Sequence, residues 1–331
     1  MGRKEEMAVA AAPLPASVEE PPSFVTAVVC SHTEDRWPMI LDAVESLRRQ
    51  TRPADELLIV VDHNPALAAR MRREIAGVRI VENRYTKGLS GAKNTALDAA
   101  TGDIIAVLDD DASAEERWLE ALVAHFDDPE VVASGSASVP RWEHQRPRWF
   151  APELDWTVGC SYRGLPETTT SVRNVFGGAM AMRADAARKL GGFADRLGRG
   201  GNRFAGGEDT EFCLRLTTVW PDARIVYDPG TAIHHTVPAA RASWSYVWRR
   251  CFGEGTSKAT LARLTRAKSC GRSTTAFGTE RQYVTRTIPA ALRRELRRGR
   301  VDAALALVGA VAATLSGFVF GSVRERLARN A

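Results

Sequence analysis

The sequence contains cysteine but no paired cysteine. Its five thiols (Cys30, Cys160, Cys213, Cys251 and Cys270) are scattered, and no C-x-x-C occurs. That spacing excludes a disulfide framework and a zinc-finger site, and it points to reduced thiols in a cytoplasmic protein. No zinc-finger spacing or aromatic–basic pattern supports a DNA- or RNA-binding surface. No internal repeat is visible. The opening stretch "MGRKEEMAVAAAPLPASVEEPP" lacks the continuous apolar core of a signal peptide, and its Ala, Pro and Glu bias predicts a disordered leader over residues 1–23. An acidic surplus is missing too. The net charge is +5 and the excess is local, with seven arginines against one glutamate between Arg281 and Arg300. This reads as a basic C-terminal surface.

What is present is core material in a regular order. A hydrophobic content of 44% over 331 residues suffices for one large α/β domain or two smaller ones. Phe24 to Cys30 is a β-branched run. It is followed by "WPMILDAVESLRRQ", with Pro38 in a first helical turn and Ile40, Leu41, Val44 and Leu47 on one face. "ELLIVVD", "RIVEN" and "DIIAVLDDD" read as further strands, with the small-residue helix "LSGAKNTALDAA" between the last two. Ser113 and Glu116 have the spacing of a capping box, which predicts the next helix start there. "NVFGGAMAMRADAARKLGGF" ends on a Gly191–Gly192 helix cap, "GGEDTEFCLRLTTVW" is a glycine turn opening a helix, and "ARIVYDPG" is a late strand closed by a turn. Alternating strands and helices predict a doubly wound, mostly parallel α/β sheet, in which ligands bind beyond the carboxyl ends of the strands. The polar ends Ser31–Asp35, Asp62–Asn64 and Asp109–Asp111 should therefore converge on one edge.

"AVLDDDA" runs a buried strand into three aspartates. Adjacent carboxylates repel, and burying one unpaired is costly. Either Asp109, Asp110 and Asp111 are splayed into water as an ordinary turn, or a cation sits there. Hard divalent cations take carboxylates together with substrate phosphates, so Asp109 and Asp111 are candidates to clamp Mg²⁺ or Mn²⁺ against a diphosphate.

"VVCSHTEDR", "LIVVDHN", "KGLSGAKNTALDAATGDIIAVLDDDA", "FGGAMAMR" and "GGEDTEFCLRL" occur in an order that resembles the family 2 inverting glycosyltransferases over roughly Phe24 to Pro238. The resemblance implies the GT-A fold. It divides the chain into a catalytic domain at 24–240 (nucleotide-sugar half 24–135, acceptor half 136–240) and a helical C-terminal region at 241–331. It implies that Asp62 accepts a hydrogen bond from the nucleotide base, normally uracil, and that Ser31, Thr33 and Glu34 contact the nucleoside. Asp109 and Asp111 become the D-x-D metal ligands, and Asp110 is counted with the donor site. Lys93 stands where many members carry arginine and would keep a positive charge near the phosphates. Asp209 resembles the catalytic base, with Glu208 beside it orienting the acceptor or the glycine-rich backbone. The bland alternative for that pair is an acidic helix start favoured by the macrodipole. His235 matches a position that supplements the metal site in some GT-A enzymes, although a histidine pair such as His234–His235 is more often structural. Phe176, Gly177 and Gly178 would lie beneath the donor sugar and acceptor, where glycine permits close approach. Trp142, Trp149 and Trp156 could stack on a sugar face or fill a core.

"VPAARASWSYVWRRCFGEGTSKA" looks like a prokaryotic subgroup acting on lipid-linked acceptors, glucuronosyltransferases included. The uncharged stretch Ala303–Val323 is about long enough to cross a bilayer and is flanked by arginines. It reads either as a shallow anchor on the cytoplasmic membrane face or as a helix packed on protein. The expected activity is metal-dependent, inverting transfer of a hexosyl or hexuronosyl group from a UDP-sugar to a lipid-phosphate or saccharide acceptor. Two alternatives remain. One is a sugar-1-phosphate nucleotidyltransferase, against which the glycine-free "CSHTEDR" counts. The other is a non-catalytic carbohydrate-binding protein on a transferase fold, which would not need to keep Asp62, Asp109, Asp111 and Asp209.

Overall fold

The computed structural model describes residues 24–194, 206–268 and 277–330. The leader at 1–23 and Cys270 lie outside the described residues. Val25–Ser31 (β1) alternates its buried side chains between two layers, with Val25, Ala27 and Val29 on one face and Val28 on the other. Trp37–Arg48 (α1) starts with Pro38 in its first turn and buries Ile40, Val44 and Leu47. Glu56–Val61 (β2) leads to Pro65–Glu74 (α2), capped by Asn64, whose Oδ1 accepts the Leu67 N–H at 3.1 Å. Arg79–Glu82 (β3), Leu89–Ala99 (α3) and Ile104–Asp109 (β4) complete the first half of the sheet.

Ala112–Ala114 (β5), Trp118–Ala124 (α4) and Val131–Trp142 (β6) follow. Thr170–Ser171 (β7), Ala179–Arg183 (β8), Ala184–Lys189 (α5), Glu208–Val219 (α6) and Arg224–Val237 (β9) then close the sheet. Its order is β3-β2-β1-β4-β8-β6-β9-β5, with β7 paired to β9. β8 is antiparallel to β4 and β6, and β5 and β7 are antiparallel to β9; the remaining pairings are parallel. The mostly parallel α/β sheet is therefore as expected. α1, α2 and α4 cover one face, and α3, α5 and α6 cover the other. Gly191 and Gly192 end α5 at φ +82° and +71°, as the cap reading requires.

Three local expectations fail. Leu41 is 40% exposed and lies off the α1 face that Ile40, Val44 and Leu47 bury. Ser113 does not cap a helix. It lies in β5 opposite His234, and α4 begins only at Trp118. Long-range pairing with β9 outcompetes the local capping signal. The "DPG" turn does not end its strand either: β9 continues to Val237 through a bulge, its pairing with β6 jumping from Ser136–Asp228 to Ala137–Ala232.

The C-terminal region is helical, as expected. Trp244–Lys268 (α7), Gly278–Gln282 (α8), Ile288–Arg297 (α9) and Val301–Asn330 (α10) follow, and α7, α9 and α10 pack a third apolar cluster containing Phe150, Leu154, Val247, Ile288 and Leu307. α7 and α10 meet backbone to backbone. A Cβ on Gly255 would run into the Thr314 carbonyl, and one on Gly317 into the Phe252 carbonyl. Gly317→Val should therefore force the two helices apart at a cost of about 1–3 kcal/mol, read as a lowered midpoint in chemical denaturation. An unchanged midpoint would show that α10 is not held there.

Candidate active site

Parallel pairing brings the polar strand ends level. Ser31 lies opposite Val61 and Cys30 opposite Asp109, and the Asp62 N–H donates to the Ser31 carbonyl at 2.7 Å. The three predicted groups therefore share the carboxyl edge of β1, β2 and β4. At one end, Asp62 is buried and accepts from Asn83 Nδ2 at 2.6 Å and from the Gly88 N–H at 2.9 Å. Ser31 is buried at the end of β1. Thr33 turns inward on its own loop, its hydroxyl accepting the Asp35 N–H at 3.2 Å. Glu34 stays exposed, 3.6 Å from Arg70.

Beyond β4 the aspartates divide. Ligand atoms of Asp109, Asp111 and His235 all lie within 4.8 Å of one another. β5 causes this convergence: its antiparallel pairing with β9 sets His235 opposite Ala112, and the Thr236 N–H donates to the Asp111 carbonyl at 2.8 Å. His235 is buried, with Nδ1 3.0 Å from the Thr236 carbonyl and Nε2 3.7 Å from Asp111 Oδ1. A proton on Nδ1 satisfies that carbonyl and leaves the Nε2 lone pair facing the carboxylates, the usual arrangement of a metal-binding imidazole. Two carboxylates and one imidazole suit Mn²⁺ or Mg²⁺ better than a thiophilic ion.

Asp110 goes elsewhere. Its carboxylate lies 2.5 Å from Arg36 Nη1, which also stands 3.2 Å from Asp111. Burial pushes the Asp110 carboxyl above its ordinary range, and Arg36 opposes that shift. The structure thus brings Asp110 to an arginine and not into the set formed by Asp109, Asp111 and His235. Arg241 adds a second cation, 3.6 Å from Asp111.

Asp209 stands in the first turn of α6, which opens after Gly207 at φ +96°. Its Oδ1 accepts from the Lys93 ammonium at 2.7 Å and its Oδ2 from the Gly177 N–H at 3.0 Å. Lys93 is 1% exposed. Burial works against its charge, but Asp209 and Glu208 more than reverse this and hold its acidity below that of an ordinary lysine. Glu208 is buried, and Glu211 one turn along is taken by Arg215 at 2.7 Å. The Gly177–Gly178 pair joins the two halves of the site. A Cβ on Gly177 would collide with the Asp209 carboxylate and the Lys93 ammonium, and one on Gly178 with the Asp109 carboxylate.

The tryptophans resolve toward packing. Trp149 stacks on Trp244 at 4.3 Å, Trp142 meets Phe150 edge-on at 4.9 Å, and Trp156 Nε1 donates to the Tyr283 hydroxyl at 3.0 Å. Sequence reasoning missed Arg36, Asn83 and Arg241. Arg36 and Asn83 lie inside motifs already picked out, as the polar residues closing "TEDR" and "RIVEN". Arg241 lies in the quoted stretch "VPAARASW", where nothing local ties it to Asp111.

The family described as Glycosyl transferase family 2 matches residues 26–191. The glucosyl-dolichyl phosphate glucuronosyltransferase of Haloferax volcanii is 31% identical over 238 residues, 71% of this chain and 76% of the relative. The succinoglycan biosynthesis protein ExoM of Rhizobium meliloti is 29% identical over 241 residues, 69% of this chain and 71% of that protein. Among solved structures, the mannosyltransferase PcManGT of Pyrobaculum calidifontis, in complex with GDP-Man and Mn²⁺, superimposes with a TM-score of 0.58 at 20% identity, covering 96% of this chain and 89% of that one. At that identity the likeness shows the GT-A fold alone. By sequence match and relatives together, the chain belongs to glycosyl transferase family 2.

Proposed function

We propose that the protein transfers a sugar, with inversion, from a nucleoside diphosphate donor to a hydroxyl of a lipid-linked sugar. One observation carries this reading: adjacent glycines, Gly177 and Gly178, abut the Asp209 and Asp109 carboxylates respectively. A cation-clamping group and a proton-accepting group thus flank one strip of bare backbone, where a hexose could lie. Asp62 would accept an N–H from the base edge, which the N3–H of uracil supplies. Asp109, Asp111 and His235 would hold the divalent ion, which when bound neutralises charge on the departing diphosphate. Asp209 takes the acceptor hydroxyl's proton as that oxygen bonds to the anomeric carbon. The bond from that carbon to the donor phosphate breaks, its electron pair leaving with the nucleoside diphosphate. The relative from Haloferax supports a glucuronosyl group as donor sugar and a polyprenyl phosphoglucose as acceptor. Family membership displaces the nucleotidyltransferase alternative.

A lipid-linked acceptor suits the C-terminal region. α10 buries Ala303, Ala306, Leu307 and Ala313, yet leaves Leu305, Leu315, Val319, Phe320 and Leu327 more than half exposed. α9 adds exposed Arg293 and Arg297, and Arg298 follows at its end. α7, locked to α10, carries the buried Arg250 and the half-buried Glu254 and Lys258 in one ion network, so the pair cannot enter hydrocarbon together. We therefore infer that α10 lies along an anionic bilayer surface, on its cytoplasmic side, and does not cross it.

Three outcomes test these readings. Asp111→Asn removes charge from the clamp and should weaken UDP binding in Mn²⁺ at least tenfold by calorimetry, about 1.4 kcal/mol; equal affinity would sink the metal assignment. Asp209→Asn should lower transfer from UDP-glucuronate to a polyprenyl phosphoglucose about 10²–10⁴-fold while UDP affinity holds. Wild-type turnover would place the base elsewhere. Leu315→Glu/Phe320→Glu should abolish co-flotation with phosphatidylglycerol vesicles, and persistence of binding would refute the docking face.

A further inference from the structure

Lys93 was expected beside the donor's phosphates, yet its ammonium lies on Asp209. The residue comes from α3, whose first turns are small and buried (Ser90, Gly91, Ala92), so the helix packs close to the sheet and carries Lys93 deep into the fold. The ammonium rests near the Phe193 ring at 4.9 Å and is closed off from solvent. Its 2.7 Å contact on Oδ1 and the Gly177 N–H on Oδ2 engage both oxygens of one carboxylate, from elements far apart in the chain. An Asp side chain has two rotatable bonds, and two donors on different oxygens fix both. The space that a side chain at Gly177 would fill is taken by this same pair.

We propose that Lys93 is a positioning residue for Asp209 and not a ligand of the donor phosphates. The inference rests on Asp209 being the base. A buried cation fixed on one oxygen, with a backbone donor on the other, sets the plane of the carboxylate before the acceptor arrives. The remaining lone pairs then meet the acceptor hydroxyl in a set direction. Preorganisation of this kind acts on the transition state, where misplacement by about 1 Å can cost 10²-fold in rate. The same helix also holds the nucleoside end of the site, since the N–H of Gly88 just before it donates to Asp62. α3 is thus the rigid strut that spaces base recognition from proton abstraction.

A double-mutant cycle decides the matter. Lys93→Met, Asp209→Asn and the double variant are compared for UDP affinity in Mn²⁺ and for transfer from UDP-glucuronate to a polyprenyl phosphoglucose. Lys93→Met should leave UDP affinity within about threefold and lower kcat by about 10²-fold. In the Asp209→Asn background it should change transfer by less than about threefold, because residues that act as one unit are not additive. Lys93→Arg, which keeps a cation on the carboxylate, should restore part of kcat. UDP affinity that falls tenfold or more in both backgrounds, with additive loss of transfer, overturns the proposal and assigns Lys93 to the phosphates. Unchanged kcat in Lys93→Met overturns it as well. Should Lys93→Met alone unfold because it strands the Asp209 charge, the double variant, which lacks both charges, still reports whether UDP affinity needs the lysine. Near-wild-type transfer by Asp209→Asn is a different failure: it removes the base reading itself, and this inference with it.

Discussion

Negative charge crowded at one sheet edge is the constraint from which the rest of the site follows. Asp62, Asp109, Asp110, Asp111, Glu208 and Asp209 gather where β1, β2 and β4 end and α6 begins, and most are buried. Carboxylates cannot be packed so densely without counterions or donors. Each partner found here is specific: Asn83 and the Gly88 N–H for Asp62, Arg36 for Asp110, Lys93 and the Gly177 N–H for Asp209. Arg36 and Arg241 also approach Asp111. Asp109 and Asp111, set against His235, are the pair whose arrangement best fits a cation from outside the chain.

Close backbone approach is the second requirement, and it is met by glycine where side chains would block chemistry. Gly177 and Gly178 bring β8 up to both carboxylates. The same device recurs between α7 and α10, where Gly255 and Gly317 let two helices touch. In the first place it leaves a bare strip for a sugar. In the second it ties an apolar helix to a charged one, which argues against a free transmembrane anchor.

Much of the sheet was legible in the sequence because its signals are local. β-branched runs, Pro38 and the Gly191–Gly192 cap each act within a few residues, and each is found in its expected place. Ser113 shows where local reading fails. Its spacing to Glu116 is that of a cap, but pairing with a strand more than a hundred residues later holds it extended. The aromatic segment around Trp142, Trp149 and Trp156 was ambiguous for a related reason. Rings that stack on sugars and rings that stack on one another have the same composition, and only the neighbours Trp244, Phe150 and Tyr283 distinguish them.

By itself the sequence determined the alternating strands and helices of the first half of the sheet, the edge on which polar residues gather, and the membership of a transferase family, but not the strands Ala112–Ala114, Val131–Trp142, Thr170–Ser171 and Ala179–Arg183. The former follow from periodicity and contiguous motifs, which the chain carries wherever it goes. Tertiary structure decided which charge meets which. His235 reaches Asp111 only because β9 runs on through its bulge to pair with β5, Asp110 is taken by Arg36, and Lys93 lies on Asp209. The physical reason is range. A hydrogen-bonded turn is settled among neighbours, but a buried charge must find its counterion across the fold, and no spacing in the sequence records that distance.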